Sequence, residues 1–310
     1  MFLSGRDLLS IHDLDVEEVE ELLDFAAELK TMQKAGVSHK ILEGKTLGMI
    51  FEKSSTRTRV SFEVGMYQLG GSALFLSNRD LQLGRGEPIK DTARVLARYL
   101  DGIMIRTFGH DRLVEFADYA NIPIINGLSD LLHPCQVLTD LLTIREFKGK
   151  RLQDLKMAYV GDGNNMANSY LYGAAKVGMA LTVATPASHK PDEEVFQNAL
   201  EDAEETDAEL NWTEDPVEAV KTADIITTDT WASMGQEAEH DERKKIFARY
   251  QVNDELLKHA NKSAIVMHCL PAYRGEELTE EVFERNADVI FEEAENRLHM
   301  QKAIMAATMG

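Results

Sequence analysis

The chain has 310 residues, of which 44% are hydrophobic, and its formal net charge is −20 at pH 7. That length allows two domains with a core each, whereas the negative charge argues against nucleic acid or an anionic membrane as the main partner. No apolar stretch is long enough to cross a bilayer. The start carries no secretory signal pattern, and two cysteines provide no disulfide framework, so we expect a cytoplasmic protein.

The first half of the chain is predicted to form one outer helix followed by a series of short strands. Acidic and apolar residues alternate at helical spacing over 13–35, which is typical of an amphipathic helix. A long helix begins at His133 and ends in a polar stretch containing Gly149, so we place a domain boundary near residue 150. Short apolar runs before it predict strands at 46–52, 72–77, 102–106 and 122–126.

The second half repeats this alternation, which indicates parallel βαβ units. A last helix, at about 293–308, is predicted to pack on the first domain. We therefore predict an α/β protein with two doubly wound parallel-sheet domains, helices on both faces, and an active site in the interdomain cleft. The first domain comprises 1–150 with the C-terminal helix at about 293–310, and the second comprises 151–292. The predicted strands of the second half are 156–161, 180–185, 209–213, 224–229 and 264–268.

The polar motif Ser55-Thr56-Arg57-Thr58 directly follows the first strand. Ligands of open α/β sheets bind beyond the carboxyl ends of the strands, and hydroxyls, arginines and a helix N-terminus together favour an anion such as phosphate. The alternative is a capped helix start whose arginines face solvent. Arg106 closes the third strand, where an arginine can also serve only to reach solvent. His133 and Gln136 share a face of the first turn of their helix and can donate to a ligand oxygen, although such a pair is more often a local cap.

Two motifs of the second half suggest a polar ligand. Gly161-Asp162-Gly163-Asn164-Asn165 resembles a dinucleotide fingerprint, but Met166 replaces the third small residue and no acidic residue closes the next strand. NAD binding is therefore disfavoured, and Asn165 is the better candidate, as a polar ligand. Asp229 ends a strand before a small-residue loop that closes at Gly235, which suits recognition of an ammonium group. The alternative is a capping aspartate and a turn.

The string His268-Cys269-Leu270-Pro271 ends the last strand. A free cysteine is usually a small buried hydrophobe, yet this one stands beside a histidine at a strand end. Cys135 and Cys269 lie far apart without paired-ligand spacing, which argues against zinc. Neither cysteine lies in a glycine turn that would form an oxyanion hole, so a thiol protease is also disfavoured.

Taken together, these strings resemble the transcarbamoylases, and the resemblance spans most of the chain. The motifs near residues 55 and 133 occur across the transcarbamoylases and imply that carbamoyl phosphate is bound. The Ser-Met-Gly loop at 233–235 and the His-Cys-Leu-Pro string favour the branch of the family that uses ornithine. The matching segments are Ser55-Thr56-Arg57-Thr58, Gln82 with Lys90-Asp91-Thr92, Arg106, His133-Pro134-Cys135-Gln136, Gly163-Asn164-Asn165, Asp229 with Ser233-Met234-Gly235, His268-Cys269-Leu270-Pro271 and Glu295-Asn296-Arg297.

The resemblance implies a role for each matching position. It implies homotrimers whose sites are shared, with Gln82 reaching in from a neighbouring subunit, and a product, citrulline, that belongs to arginine biosynthesis. No metal or organic cofactor is expected, because phosphate is already a good leaving group. The implied catalytic residues are Arg106, His133 and Cys269. The implied carbamoyl-phosphate residues are Ser55, Thr56, Arg57, Thr58, Gln82, Arg106, His133, Gln136, Cys269, Leu270 and Arg297. The implied ornithine residues are Asn165, Asp229, Ser233 and Met234.

Three other functions stay open at this point. The first is a transcarbamoylase that acts on another amine, such as aspartate, a modified ornithine or putrescine. The second is a non-catalytic paralogue that binds carbamoyl phosphate. The third, a nicotinamide dehydrogenase, is disfavoured by the broken glycine fingerprint.

Overall fold

The computed structural model describes residues 2–149, 151–232 and 240–310, and the chain forms two compact units. The first unit comprises Met1–Leu142 with Asn296–Gly310, and the second comprises Thr143–Glu295. None of the helices within the described ranges combines the length and the apolar character that a membrane crossing requires.

The first unit contains a four-stranded parallel sheet with the strand order β2-β1-β3-β4. Its strands are β1 (Thr46–Phe51), β2 (Ser72–Ser77), β3 (Gly102–Arg106) and β4 (Ile124–Leu128). The helices that begin in this unit are α1 (Val16–Lys34), α2 (Thr56–Gln68), α3 (Ile89–Leu96), α4 (His110–Tyr119) and α5 (Pro134–Lys148). Strands β1 and β3 are almost wholly buried, whereas β2, at the edge, is largely exposed.

Local sequence explains where α1 begins and why it packs. The Asp15 carboxylate accepts from the Glu18 backbone N–H at 2.7 Å, and the Glu18 carboxylate accepts from the Asp15 N–H at 3.1 Å. This reciprocal pair satisfies two donors that the first turn leaves open. Val19, Leu22 and Ala26 are buried at helical spacing. The predicted amphipathic helix is confirmed.

Strand β4 lies two residues further along the chain than predicted. Pro123 has no N–H to donate to the ladder, and its carbonyl accepts from the Ile103 N–H at 2.9 Å, so the strand proper begins after it. The sequence prediction ends at Asn126, two residues before the observed end of the strand. In the fold the Asn126 side chain is buried and donates to the Leu9 carbonyl at 2.9 Å, which lets the strand continue.

The second unit contains a five-stranded parallel sheet with the strand order β7-β6-β5-β8-β9. Its strands are β5 (Lys156–Val160), β6 (Ala180–Ala184), β7 (Leu210–Thr213), β8 (Ile225–Thr228) and β9 (Ile265–His268). The helices that begin in it are α6 (Asn165–Val177), α7 (Glu193–Ala203), α8 (Pro216–Val220), α9 (His240–Phe247), α10 (Asp254–Leu257), α11 (Glu280–Arg285) and α12 (Ala287–Met309). Residues of α12 from Asn296 onward belong to the first unit.

Each sheet has one point where the strand order reverses. In the first unit β1 is flanked by β2 and β3, and in the second β5 is flanked by β6 and β8. Ligands of doubly wound sheets bind at the carboxyl ends of strands next to such a reversal. The predicted α/β class with two parallel sheets is confirmed, and the motifs after β1, β3, β5 and β8 stand at these positions.

Candidate active site

The motif after β1 forms the beginning of α2. Ser55 is the N-cap, with extended backbone angles, and its Oγ accepts from the Thr58 N–H at 3.2 Å. The capping role therefore exists, but it leaves the other groups of the motif available. Thr56 is exposed, and the buried Nε of Arg57 has no hydrogen-bond partner among the described residues. A helix N-terminus with these donors suits an anion.

The loop between β1 and α2 is anchored by Glu52. The Glu52 carboxylate accepts from Arg112 at 2.7 Å and from the Thr107 hydroxyl, and the Glu52 N–H donates to the Arg106 carbonyl at 2.9 Å. Lys53 is buried and pairs with Asp130. These bonds attach the loop to the residues that follow β3, and they determine where the helix N-terminus lies. Sequence reasoning does not single out Glu52, because a lone acid after a strand resembles any surface residue.

The Thr58 hydroxyl is the point where three elements of the first unit meet. Arg297, on α12, donates to Thr58 Oγ1 at 2.7 Å, and Arg106, at the end of β3, lies at 3.4 Å from the same oxygen. All three side chains are buried. Arg106 therefore does not extend to solvent, and two guanidinium groups lie beside the N-terminus of α2. This concentrates positive charge in an otherwise acidic protein.

His133 and Gln136 join the same cluster. Gln136 accepts from Arg297 at 2.7 Å and donates to Asp140 at 2.8 Å, so its amide binds other side chains. Burial, and then the nearby charges of Arg297 and Arg106, hold the pKa of His133 well below its ordinary value of 6.5. His133 is therefore a neutral imidazole at neutral pH, with one N–H to donate.

Two other side chains of the first unit that the sequence motifs contain have different roles. Cys135 donates to the Asn126 carbonyl at 3.3 Å, and burial raises the pKa of its thiol to about 12, so it acts as a buried hydrophobic residue. Gln82 is exposed at the start of a short 3-10 turn, and its side chain makes no hydrogen bond with the described residues of its own chain. Among the described residues of one chain, no hydrogen bond links the Gln82 side chain to the Thr58 cluster.

In the second unit, Asp229 is held from two sides. Its Oδ1 accepts from the Thr230 N–H at 2.8 Å and lies 3.3 Å from Cys269 Sγ, and its Oδ2 accepts from Asn164 Nδ2 at 2.9 Å. Asn164 is in turn oriented by Tyr159, whose hydroxyl donates to Asn164 Oδ1 at 3.1 Å. Burial, and then the nearby negative charges, raise the pKa of Tyr159 well above 10.0, so it stays a donor. The carboxylate thus has a fixed orientation.

Asn164 is a residue that the sequence prediction missed. It is the N-cap of α6, where its Oδ1 accepts from the Met166 N–H at 2.9 Å, while Asn165 is buried at the first helical position. A cap signal was available, because asparagine before a helix is a strong N-cap. Gly163 packs directly against backbone of residues 189–191, leaving no room for a Cβ, which explains this glycine without a dinucleotide. Of the predicted ornithine residues, Ser233 and Met234 lie outside the described residues.

The segment after β9 is held by His268. Its Nδ1 accepts from the Leu270 N–H at 2.9 Å, so the proton lies on Nε2, which donates to the buried Glu277 at 3.0 Å. Leu270 has a φ of 60°, a conformation that its own side chain disfavours and that this bond stabilises. His268 therefore sets the backbone next to Cys269, whose thiol is partly exposed and faces Asp229. The histidine is structural rather than a metal ligand.

Comparison with known proteins identifies the family of both units. Residues 6–146 match the family model described as aspartate/ornithine carbamoyltransferase, carbamoyl-P binding domain, and residues 153–308 match its Asp/Orn binding domain. The chain is 59% identical over 306 residues to an ornithine carbamoyltransferase of Carboxydothermus hydrogenoformans, covering 99% of this chain and 98% of that protein.

Solved structures agree with the sequence comparison. The ornithine carbamoyltransferase from Pyrococcus furiosus matches with a TM-score of 0.96 and 53% identity, covering 100% of this chain and 99% of that one. The anabolic ornithine carbamoyltransferase from Campylobacter jejuni matches with a TM-score of 0.92 and 47% identity, covering 97% of each chain. The resemblance stated from the sequence motifs is confirmed, and the chain belongs to the aspartate/ornithine carbamoyltransferase family.

Proposed function

We propose that this chain transfers the carbamoyl group of carbamoyl phosphate to the δ-amine of L-ornithine, giving L-citrulline and phosphate. The observation that carries the proposal is the buried cluster around Thr58, where Arg106 and Arg297 meet beside a helix N-terminus. Relatives named ornithine carbamoyltransferase support ornithine as the amine. Two of the relatives are named anabolic, which supports a place in arginine biosynthesis.

The first unit binds carbamoyl phosphate in this proposal. Ser55, Thr56, Arg57 and Thr58 hold the phosphate, because the α2 N-terminus supplies backbone N–H groups and Arg57 supplies charge. Arg106, His133 and Gln136 donate to the carbamoyl group, and a neutral His133 provides a hydrogen bond without adding a further positive charge. Arg297 contacts carbamoyl phosphate, and Cys269 and Leu270 complete its site. The corresponding domain is 1–150 with the helix at about 293–310.

The second domain, which we place at 151–292, binds ornithine. Its carboxylate Asp229 is held by Asn164 and Thr230, so it can receive an ammonium group without rearranging. Asn165, Ser233 and Met234 provide further contacts to the amino acid. Cys269 lies at the reacting centre, because its thiol is 3.3 Å from Asp229. The catalytic residues are then Arg106, His133 and Cys269.

The chemistry matches these residue types. The neutral δ-amine attacks the carbamoyl carbon, negative charge develops on the carbamoyl oxygen, the C–O bond to phosphate breaks, and the proton that the amine loses leaves with the phosphate. Donors fixed in advance at that oxygen lower the barrier most when water is excluded. The step itself calls for no redox change, since a nucleophile replaces a leaving group.

The decisive experiment supplies purified protein with carbamoyl phosphate and L-ornithine and measures citrulline and phosphate. Equal amounts of both products are expected. Aspartate, acetylated or succinylated ornithine and putrescine are tested in parallel, and turnover with one of these alone would replace ornithine as the substrate. Binding of carbamoyl phosphate without turnover of any amine would favour a non-catalytic protein.

We propose that the active form is a homotrimer in which Gln82 serves the site of a neighbouring subunit. Edge strand β2 and helix α2 expose apolar side chains that a solvated surface rarely groups together, among them Val60, Tyr67, Leu74 and Phe75. Burial of this face against a second copy would also bring the exposed Gln82 near another chain. Two free cysteines agree with a reducing cytoplasm, which we propose as its location.

Mixing two inactive variants tests the shared site. Gln82→Ala and Arg106→Ala are each purified, combined in equal amounts, dissociated and allowed to reassemble. If a site takes Arg106 from one subunit and Gln82 from its neighbour, random assembly restores about a quarter of the sites. If both residues served a site of their own chain, no mixture would recover activity. Mixtures kept without dissociation are the control.

A further inference from the structure

Arg243 connects two loops of the second unit that carry the proposed ornithine residues. Its guanidinium pairs with the Asp162 carboxylate, in the loop between β5 and α6, and its Nε donates to the Trp231 backbone carbonyl, after β8. Both side chains of the ion pair are buried. Asp162 lies two residues before Asn164, and Trp231 lies two residues after Asp229. The Arg243 side chain therefore joins the two loops that carry Asn164 and Asp229.

The packing around Arg243 keeps the guanidinium in this place. Its Cζ lies 5.2 Å from the centre of the Phe247 ring, one turn further along α9, and Phe247 is stacked on Trp231 with ring centres 6.1 Å apart. The Phe247 ring also meets His189 edge to face at 4.9 Å. A guanidinium fixed by an aromatic face and two acceptors has little freedom to shift.

The charges of this region explain why the bridge needs a cation. The negative charge of Asp229 is close enough to oppose the ionisation of Asp162. The positive charge of Arg243 neutralises that of the Asp162 carboxylate. Asp229 then remains as the negative charge that binds an ammonium group. Without Arg243 the Asp162 carboxyl would lose both the cation that lowers its pKa and the donor that holds it, so it would become protonated or move.

We propose that Arg243 is a positioning residue for the amino-acid substrate: by bridging Asp162 and the Trp231 carbonyl, it fixes Asn164 and Asp229 in the arrangement that receives ornithine. The inference rests on the proposed function and adds a residue that touches no substrate. Its effect falls on amino-acid binding, since most of the proposed carbamoyl-phosphate residues belong to the first unit.

The test uses L-2-aminopentanoate, which is ornithine without its δ-amine and cannot react. Its dissociation constant is measured by calorimetry with carbamoyl phosphate present, for the wild type and for Arg243→Lys, Arg243→Gln and Asp162→Asn. Arg243→Lys keeps the positive charge, but a lysine cannot donate in both of the directions in which the guanidinium of Arg243 does. We therefore expect Arg243→Lys to bind 2-aminopentanoate about tenfold more weakly than the wild type. Arg243→Gln is expected to weaken binding of 2-aminopentanoate by about a hundredfold, because it removes the charge that pairs with buried Asp162 as well as the fork. The affinity for carbamoyl phosphate alone stays within about twofold.

Arg249→Gln is the matched control. Arg249 lies in the same unit and also donates to a backbone carbonyl, that of Glu214, but at an exposed position away from these loops. Its replacement is expected to change binding by less than about twofold. The double variant Asp162→Asn, Arg243→Gln binds no more weakly than Arg243→Gln alone, because the two residues act as one unit.

A pH series separates positioning from a merely structural role. Burial, opposed by Arg243 and reinforced by Asp229, raises the pKa of Asp162 to about 6, and the described titratable groups facing it are Arg243, Asp229 and Tyr159. Protonation of Asp162 weakens the bridge, so wild-type binding should fall about tenfold from pH 7 to pH 5, whereas Asp162→Asn shows a much smaller change. The folded state holds this proton more tightly than the unfolded chain does. The contribution of Asp162 to the stability of the folded protein therefore increases as the pH falls, whereas the binding of 2-aminopentanoate weakens.

The outcomes distinguish the inference from the function on which it rests. Wild-type protein that forms no citrulline contradicts the proposed function, whatever the variants do. Wild-type protein that forms citrulline, together with folded Arg243→Lys and Arg243→Gln that bind 2-aminopentanoate as well as the wild type does, overturns the inference. Equal losses in carbamoyl-phosphate affinity and in amino-acid affinity would overturn it as well, because they would indicate general damage to the fold.

Discussion

Replacing Arg106 with alanine is expected to lower kcat by a factor on the order of 10²–10³. Arg106 is buried at the end of β3, with its guanidinium 3.4 Å from Thr58 Oγ1. Attack by the amine places negative charge on the carbamoyl oxygen, and a cation that is already in position stabilises this charge without reorganising. The measurement is citrulline formation at saturating concentrations of both substrates.

Two further variants make the Arg106 result specific. Arg106→Lys keeps the charge but loses the forked donor geometry, so its kcat should fall between those of the wild type and the alanine variant. Arg94→Ala removes an exposed arginine of the same unit, paired with Asp91 at 3.6 Å, and should leave kcat nearly unchanged. A loss below about tenfold for Arg106→Ala would remove Arg106 from the mechanism.

The value of kcat/KM for ornithine is expected to rise about tenfold per pH unit between pH 6 and pH 9. An alkylammonium has a pKa near ~10.4, so the neutral amine that attacks is a small fraction of ornithine, and this fraction grows tenfold with each unit. At pH 8, deprotonation of the free ammonium group costs about 3 kcal/mol if the protein does nothing to assist it. Since kcat/KM reflects free protein and free substrate, this ionisation must appear in it.

Titration of His133 should not change the pH dependence of kcat/KM. Its pKa lies well below 6.5, because burial and the charges of Arg297 and Arg106 disfavour the imidazolium. His133 is therefore neutral throughout the range, and its contribution is constant. Initial rates measured at low ornithine and saturating carbamoyl phosphate test this, with ionic strength held fixed. A flat profile from pH 6 to pH 9 would contradict attack by the neutral amine.

The strands of both sheets could be placed from the sequence with small errors. Strands β1, β2 and β3 begin at the predicted residues, because a buried parallel strand is a short continuous apolar run whichever strands lie beside it. Strand β4 was misplaced because its continuation depends on a bond from Asn126 to the carbonyl of Leu9, which is 117 residues away in sequence. Local pattern carries no information about such a partner.

The residue types of the candidate site were also visible in the motifs, but their contacts were not. Thr58 and Arg297 are 239 residues apart in sequence, and their hydrogen bond joins the first turn of α2 to the last helix. The bond between Asn164 and Asp229, and the bridge made by Arg243, depend in the same way on β5 and β8 being neighbours. The order of strands in the sheet places these loops side by side.

Burial periodicity and contiguous motifs are local properties, so the α/β class, the approximate strand positions, the family and the residues of its motifs could be read from the sequence. The folded chain was needed to establish that Thr58 joins two arginines, that His133 is neutral, that His268 is structural and that Arg243 joins two loops. These properties arise from desolvation and from partners distant in sequence, and both of them exist only when the chain is folded.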